Sequence, residues 1–564
     1  MTLTPASIAV AQASSATALV RDVNGTIMTG QTVTWSIVNN GVASITTSGV
    51  ATGVSAGTTT VSASVQGVTG SATLTVTAVS PIATPQLPRA VPALPVAALS
   101  RSCTDRPTTV AALQQALNAG GARTICLAMG LVLKGSFDIP ARAAGDTSWS
   151  ILRADTTLTL GSRITGSERL PKIEIVDVRF PALWFHSRSA RWVVQGIEMT
   201  TDPNIIAGPL SLVEAGERIA ETTIAALPRE IHFTHVNVHG WPNQNLRRGF
   251  MLNGAGHIVR DSRCTEIHER NSDSQCTLSY NGPGPFLIEN NLLEAASENV
   301  MWGGADPGIS GLVPCDITVR NNRISKPATW KQVGTPSQAG SYLIKLLYES
   351  KSSCRSLIEG NSFDGVWKDG QMGYAVWLKS VNQQGNCRWC RTTDVTFRNN
   401  TFRNVGAGFA FSGSPEVFPV DSALSRVLVT GNWIENINVQ PYDGDSRPIL
   451  LNVNARDVSF IRNTWTGGNF PKDAIIFDLS NGVKAVTNFR FEDNVIPTAQ
   501  YGVGATAVGE GTVALNAGVG GSWTFLRNTF IGNQRNGYPA TTKWASSLAG
   551  ALSTGSGVAA PPVP

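Results

Sequence analysis

Between residues 298 and 306 the chain reads ENVMWGGAD, which sets two carboxylates, Glu298 and Asp306, on either side of Trp302 and a Gly-Gly pair. Hydrolysis of a glycosidic bond uses two such groups about 5 to 9 Å apart, one as acid and the other as nucleophile or base. The indole offers a flat stacking face, and the glycines let a ligand approach the backbone. Lys345 and Glu349 follow as further catalytic candidates, with Tyr280, Trp330, Lys331, Asp369 and Gln371 as candidates for holding substrate. The same residue types also have structural uses, since acids cap turns and tryptophans cover a flank. Which use applies depends on the elements that carry them.

The segment just before this line, LIENNLL, recurs as TVRNNRI, IEGNSF, FRNNTF, VTGNWI, IRNTW, EDNVI and LRNTF. Each copy places a large apolar residue two after an Asn: Asn291/Leu293, Asn322/Ile324, Asn361/Phe363, Asn400/Phe402, Asn432/Ile434, Asn463/Trp465, Asn494/Ile496 and Asn528/Phe530. The asparagines are 31, 39, 39, 32, 31, 31 and 34 residues apart. A constant local motif at variable spacing marks a solenoid with insertions on selected loops. Ile288, Val319, Ile358, Phe397 and Val429 stand three before the Asn, five before the second apolar residue. A straight strand would send those two side chains to opposite faces, so burying both requires a bend. Asn tolerates left-handed backbone, and its amide can bond the backbone and the Asn of the next coil. This predicts a parallel β-helix in which IENNLL is a rung and SENVMWGGADP an outward loop. Weaker copies at 193–199, 233–238 and 258–264 bring the expected array to about ten or eleven coils between residues 150 and 535.

Residues 106–121, RPTTVAALQQALNAGG, predict an amphipathic helix capped by Thr108 or Thr109 and ended by Gly120, suited to shield the first coil. The β-helical domain is therefore expected over 101–545. A proline-rich segment at 79–100 reads as an extended, semi-rigid linker, and 546–564 as a flexible tail. Residues 1–78 alternate short β-rich runs with Gly, Asn and Ser turns, as an antiparallel sandwich does. The order Val33-Thr-Trp35-Ser, Ala43-Ser-Ile45, Gly49-Val-Ala-Thr52-Gly and Gly57-Thr-Thr-Thr-Val61 resembles bacterial immunoglobulin-like domains of group 2. That resemblance implies a spacer or adhesive unit.

Composition agrees with an all-β chain: 55 glycines in 564 residues and only 15% charged side chains. A net charge of +5 without a basic run gives nucleic acid no electrostatic footprint, and no apolar stretch reaches the length of a membrane span. Of the eight cysteines, only Cys387 and Cys390 form a CxxC, which favours disulfides over zinc and an extracellular or virion-surface location. Cys103 and Cys126 bracket the helix, Cys264 and Cys276 flank one loop, and Cys315 and Cys354 occupy equivalent places in successive coils. The first residues lack the basic and apolar regions of a standard signal peptide. His232, His235 and His239 look metal-like in spacing, but an odd separation of the first two points them apart, so surface histidines are expected.

The array, and more narrowly NGPGPFLIENNLLEAASENVMWGGADP, LVPCDITVRNNRISKPATW and SLIEGNSF, is similar to right-handed parallel β-helix repeat proteins of the broad pectate-lyase-like class, from bacteria and phages. The resemblance implies a polysaccharide or cell-surface glycan as partner, bound in a groove on the outer face, and for phage members a homotrimer. The sequence departs from the known enzymes of that class: the DD, NTD and GHG steps of galacturonan hydrolases are missing, as are the WIDH segment of pectate lyases and the RHG segment of alginate-type lyases. A hydrolase would need no cofactor, and a lyase would bring calcium. The rival expectation is a non-catalytic adhesin or a tail or decoration protein of a virion.

Overall fold

The computed structural model describes residues 1–10, 12–77, 82–331, 342–415 and 417–561. Residues 79–81 of the expected linker and 562–564 of the expected tail lie outside these. Two compact units emerge, Met1–Ile82 with Gly521–Thr524, and Ala83–Gly520 with Phe525–Pro564.

In the first unit two four-stranded sheets enclose a small apolar core of Leu3, Ile8, Val42, Val61, Leu74 and Val76. Its pairings are antiparallel except for Ser7–Ala9 against Val68–Thr77.

The second unit is a parallel β-helix. Three sheets of 13, 14 and 13 strands run its length, and from Thr124–Leu127 to Val503–Ala505 each coil contributes one strand to each sheet. Cys315–Arg320, Arg323–Ser325 and Leu346–Ser350 form one such coil, paired in parallel with Phe286–Glu289, Leu292–Ala295 and Glu298–Trp302 of the coil before. The array begins at Thr124–Leu127, earlier than the repeat motif indicates, because the opening coils lack the motif's asparagine.

The asparagine ladder is present and continuous. Asn291, Asn322, Asn361, Asn400, Asn432, Asn463 and Asn494 each donate a side-chain N–H to the Oδ1 of the next, at 2.9 to 3.1 Å. That same Oδ1 accepts the backbone N–H of the preceding Asn. The left-handed bend falls one residue earlier than expected, on Asn290, Asn321, Gly360, Asn399, Gly431, Arg462, Asp493 and Arg527. The ladder Asn is thus free to turn its amide inward. Where glycine takes the bend, at Gly360 and Gly431, a Cβ would lie 2.7 and 2.6 Å from the Oδ1 of Asn321 and Asn399, so glycine leaves room for those amides where they now lie.

Both ends are covered. Thr109 caps helix Val110–Asn118, whose Gln114 side chain accepts from the Asp138 N–H at 3.0 Å and donates to the Asp138 carbonyl at 2.7 Å, standing in for a missing strand. The Cys103–Cys126 disulfide ties this cap to the first strand. At the far end the tail is ordered, contrary to its composition. Helix Leu548–Leu552 buries Ala551, Ser556 bonds Thr529, and Val558 exchanges hydrogen bonds with Thr464. The proline-rich segment is also held: the backbone N–H groups of Gln86 and Arg89 donate to Asp394 and Asp316 on the flank of the first sheet. Composition predicts an extended, semi-rigid linker and a flexible tail, and it cannot register the acceptors that coils elsewhere in the chain supply. Cys264–Cys276, Cys315–Cys354 and Cys387–Cys390 complete four disulfides.

The histidine cluster is neither a metal site nor, at two positions, on the surface. His232 and His235 are 1% and 2% exposed; His232 bonds the Gly256 carbonyl, and His235 the Thr159 carbonyl. His239 faces Glu198 at 3.3 Å. Burial pushes His232 down to about 3 and the neighbouring His257 to about 4. Between an unfolded value near 6.5 and these folded values the unfolded chain binds more protons, so stability falls as pH falls through that window. The expected result is that His257→Gln flattens the acid limb of a denaturation-versus-pH profile; an unchanged limb would show that these rings do not set it.

Candidate active site on the third sheet

The third sheet decides which candidates can meet. Its inward row includes Val300, Tyr348, Val376 and Phe409, and rings of Tyr348 and Phe409 reach Phe397 of the first sheet at 5.3 and 6.0 Å. Alternation therefore turns Met301, Glu349, Trp377 and Ala410 outward. Pairing skips Asn299, whose amide donates to the carbonyls of Leu293 and Ser325 at the sheet corner. That local kink sends Glu298 to the outer side as well, on the strand next to Glu349.

Lys326 pins this kink. It is 3% exposed, and its ammonium donates to the carbonyls of Ala295 and Ser297 and to the Asn299 side chain at 2.7, 3.1 and 2.7 Å. The residues on both sides of Glu298 are thereby held by one buried cation. Burial drives the Lys326 value well down, with the Glu298 carboxylate opposing.

Around Glu298 the outer face gathers four further groups. Gln275 donates to Oε2 at 2.8 Å, and the Lys345 ammonium lies 3.7 Å from Oε1 while bonding Asp273. Glu349 sits 3.4 Å from the Lys379 ammonium, which in turn lies 5.1 Å from the Trp377 ring centre. Burial raises Glu298 to about 7, reinforced by the charges of Glu349 and Asp273 and opposed by Lys345 and Gln275. Burial works against the charge on Lys345, but Glu298 and Asp273 outweigh it and raise its value. A carboxyl whose proton is held toward neutrality thus sits on the strand next to a second carboxyl, Glu349. A raised carboxyl of this kind is what general acid chemistry needs.

The other candidates separate. Glu298–Trp302 is a strand of the sheet, not a loop; only the residues after Trp302 leave the coil. The sequence does not reveal this because the third strand of each coil has no Asn to mark it. Trp302 points inward, 1% exposed with its ring centre 4.9 Å from that of Phe286, so it presents no face to a ligand. Asp306 accepts three backbone N–H groups, from Gln383, Gln384 and Asn386 at 2.8 to 3.0 Å, and so clamps the loop ahead of the Cys387–Cys390 disulfide. Tyr280 packs on the outer face with Met251, Leu278 and Met301. Trp330 is buried edge-on against His268, and Lys331 bonds Asp443 three coils on. Asp369 and Gln371 form a tight turn beside Leu343 and Ile344, which lead into Lys345; burial raises Asp369, and the Gln371 Oε1 is buried without a partner. Asp273, in the loop flanked by Cys264 and Cys276, reads from the sequence as a further acid near Tyr280 though more simply as a loop residue, whereas Gln275, Lys379 and Trp377 are site neighbours that no sequence motif marks.

A calcium ion does not fit this cluster, because the Lys345 ammonium already stands between the carboxylates of Asp273 and Glu298. Among the described residues no helix is long and apolar enough to cross a membrane.

The fold makes the chain a parallel β-helix protein. No protein-family profile matches it, and no curated protein is similar to it in sequence. Among solved structures it is similar to the tailspike protein of E. coli bacteriophage HK620 in complex with pentasaccharide, at 13% identity and a TM-score of 0.38 over 77% of this chain and 74% of that one. It is also similar to alginate lyase from Paenibacillus sp. str. FPU-7, at 14% identity and a TM-score of 0.23 over 78% of this chain and 98% of that one.

Proposed function

We infer that this protein engages a surface polysaccharide along the outer face of its third sheet and hydrolyses it there. The observation that carries the reading is the pair of carboxyls on neighbouring outer strands, with Glu298 raised to about 7 and Glu349 beside the Lys379 ammonium. In this reading Glu298 donates its proton to the glycosidic oxygen, and Glu349 attacks the anomeric carbon or activates water. Lys345, Asp273 and Gln275 fix Glu298, and the half-buried Trp377 offers a sugar its ring face. Four disulfides support an extracellular or virion-surface setting, and the N-terminal sandwich serves as an immunoglobulin-like spacer.

One observation favours the rival, a non-catalytic adhesin or virion structural protein: Glu298 and Glu349 are 0% and 1% exposed. A polysaccharide panel separates the two. Purified protein is incubated with acidic and neutral polysaccharides while reducing ends and the ultraviolet absorbance of unsaturated sugars are followed. Hydrolysis yields new reducing ends without absorbance. Binding with no new chain ends refutes the enzyme.

A further inference from the structure

The outer row that carries Glu349 continues in register through Trp377, Ala410, Leu450 and Ile476 to Gly504. Five strand steps separate Glu349 from Gly504, about 24 Å at the usual strand spacing. At Gly504 the row loses its side chain and the floor drops away. A Cβ there would lie 2.2 Å from Oδ1 of Asp473, so the missing side chain is what lets that carboxylate lie across the strand. A cavity of about 500 Å³ opens over this point, and a second of about 350 Å³ shares Asp473, Ala505 and Ala507 with it. Together they form one trough.

The trough mixes polar and apolar surface, and its cations are all paired. Arg447 bonds Asp445 at 2.9 Å and Asp473 at 3.3 Å, Lys472 bonds Asp445 at 2.5 Å, and Arg535 bonds Glu510 at 2.8 Å. Three cations answer Asp445, Asp473 and Glu510, while a fourth carboxylate in the lining, Asp478, accepts from the Ser480 N–H and the Thr506 hydroxyl instead. A uronate or phosphate would therefore find no unpaired cation, whereas hydroxyl groups can bond fixed carboxylate and guanidinium edges at once. Tyr501, 52% exposed at the rim, supplies the flat face that a pyranose ring stacks on.

We propose that this trough is a distal subsite for uncharged pyranose units of the same glycan that reaches Glu298 and Glu349. The assignment deepens the polysaccharide reading and rests on it, but its test does not depend on cleavage. A glycan lying along the helix axis would span both places, and the trough would select for chain length and for neutral sugar composition.

The test is affinity electrophoresis of the full chain carrying Glu298→Gln, in gels holding dextran, mannan or β-galactan, with alginate and polygalacturonate as anionic counterparts. At least one neutral polymer is expected to retard the protein. Adding Tyr501→Ala, or Val508→Trp to fill the trough, is expected to weaken that retardation at least tenfold. Both positions are exposed, 52% and 43%, and an unchanged circular dichroism spectrum verifies the fold. Retardation by anionic polymers alone, by none, or to an equal degree in both variants overturns the subsite. If the unmodified chain cleaves nothing while retardation still depends on Tyr501 and Val508, the catalytic reading fails and the subsite stands. Cleavage with no such dependence gives the converse.

Discussion

Glu298→Gln is expected to lower the rate of glycan cleavage about 10³-fold while leaving glycan binding in place, the loss that removal of a general acid produces. The amide keeps the shape and can still meet Gln275, but it has no proton to give. The same substitution changes stability, and the sign is fixed by the direction of the shift. The folded carboxyl holds its proton up to about pH 7, against about 4.5 in the unfolded chain, so between these values the folded state binds more protons. Stability therefore declines as pH rises through that window, by an amount on the order of 3 kcal/mol. The Gln variant escapes this decline and should be the more stable protein above pH 7, although it is the inactive one. Denaturant midpoints across pH measure this directly. A variant that cleaves normally, or that weakens with rising pH as its parent does, removes Glu298 from the acid role.

Asn400→Ala is expected to destabilise the β-helix by about 4 kcal/mol, because one amide serves four buried partners. Its Oδ1 accepts the backbone and side-chain N–H of Asn361 at 2.9 and 3.0 Å, and its Nδ2 donates to the Ile358 carbonyl and to Asn432. Alanine orphans the Asn361 N–H groups and takes a donor from the Ile358 carbonyl where water has no access, while the Asn432 Oδ1 keeps the backbone N–H of residue 400. Asn528→Ala, at the end of the ladder, has no further Asn to donate to and should cost less. Hydrogen exchange supplies the local readout: the Asn361 amide should lose protection in the first variant and keep it in the second. Equal losses at the two positions would mean that the ladder is not cooperative.

The rungs were legible in the sequence because one physical requirement, burying two apolar side chains five apart, left a repeated mark at each Asn. The Cys315–Cys354 bridge was legible for the same reason, since equivalent places in successive coils are neighbours. The third strand of each coil bears no such mark, so Glu298 was assigned to a loop although it begins a strand. Trp302 then followed it to the wrong side of the wall. Glu298, Lys345 and Glu349 were found by residue type and coil order, and the structure groups them. Asp306 was paired with Glu298 by proximity in sequence alone, and its three backbone partners come from residues 383–386. Such a clamp is invisible without the coils that intervene.

The spacings of the ladder have one more consequence. Asn432, Asn463 and Asn494 are separated by 31 residues each. Excising one such period would leave every remaining strand beside a parallel neighbour and every remaining amide above an acceptor. The ladder itself does not count its coils; the helix at 110–118 and the segment at 548–558 close its two ends. Length is thus a free variable of this molecule, one that recombination can alter by whole coils, and the distance from Glu349 to the trough at Gly504 is among the quantities it would reset.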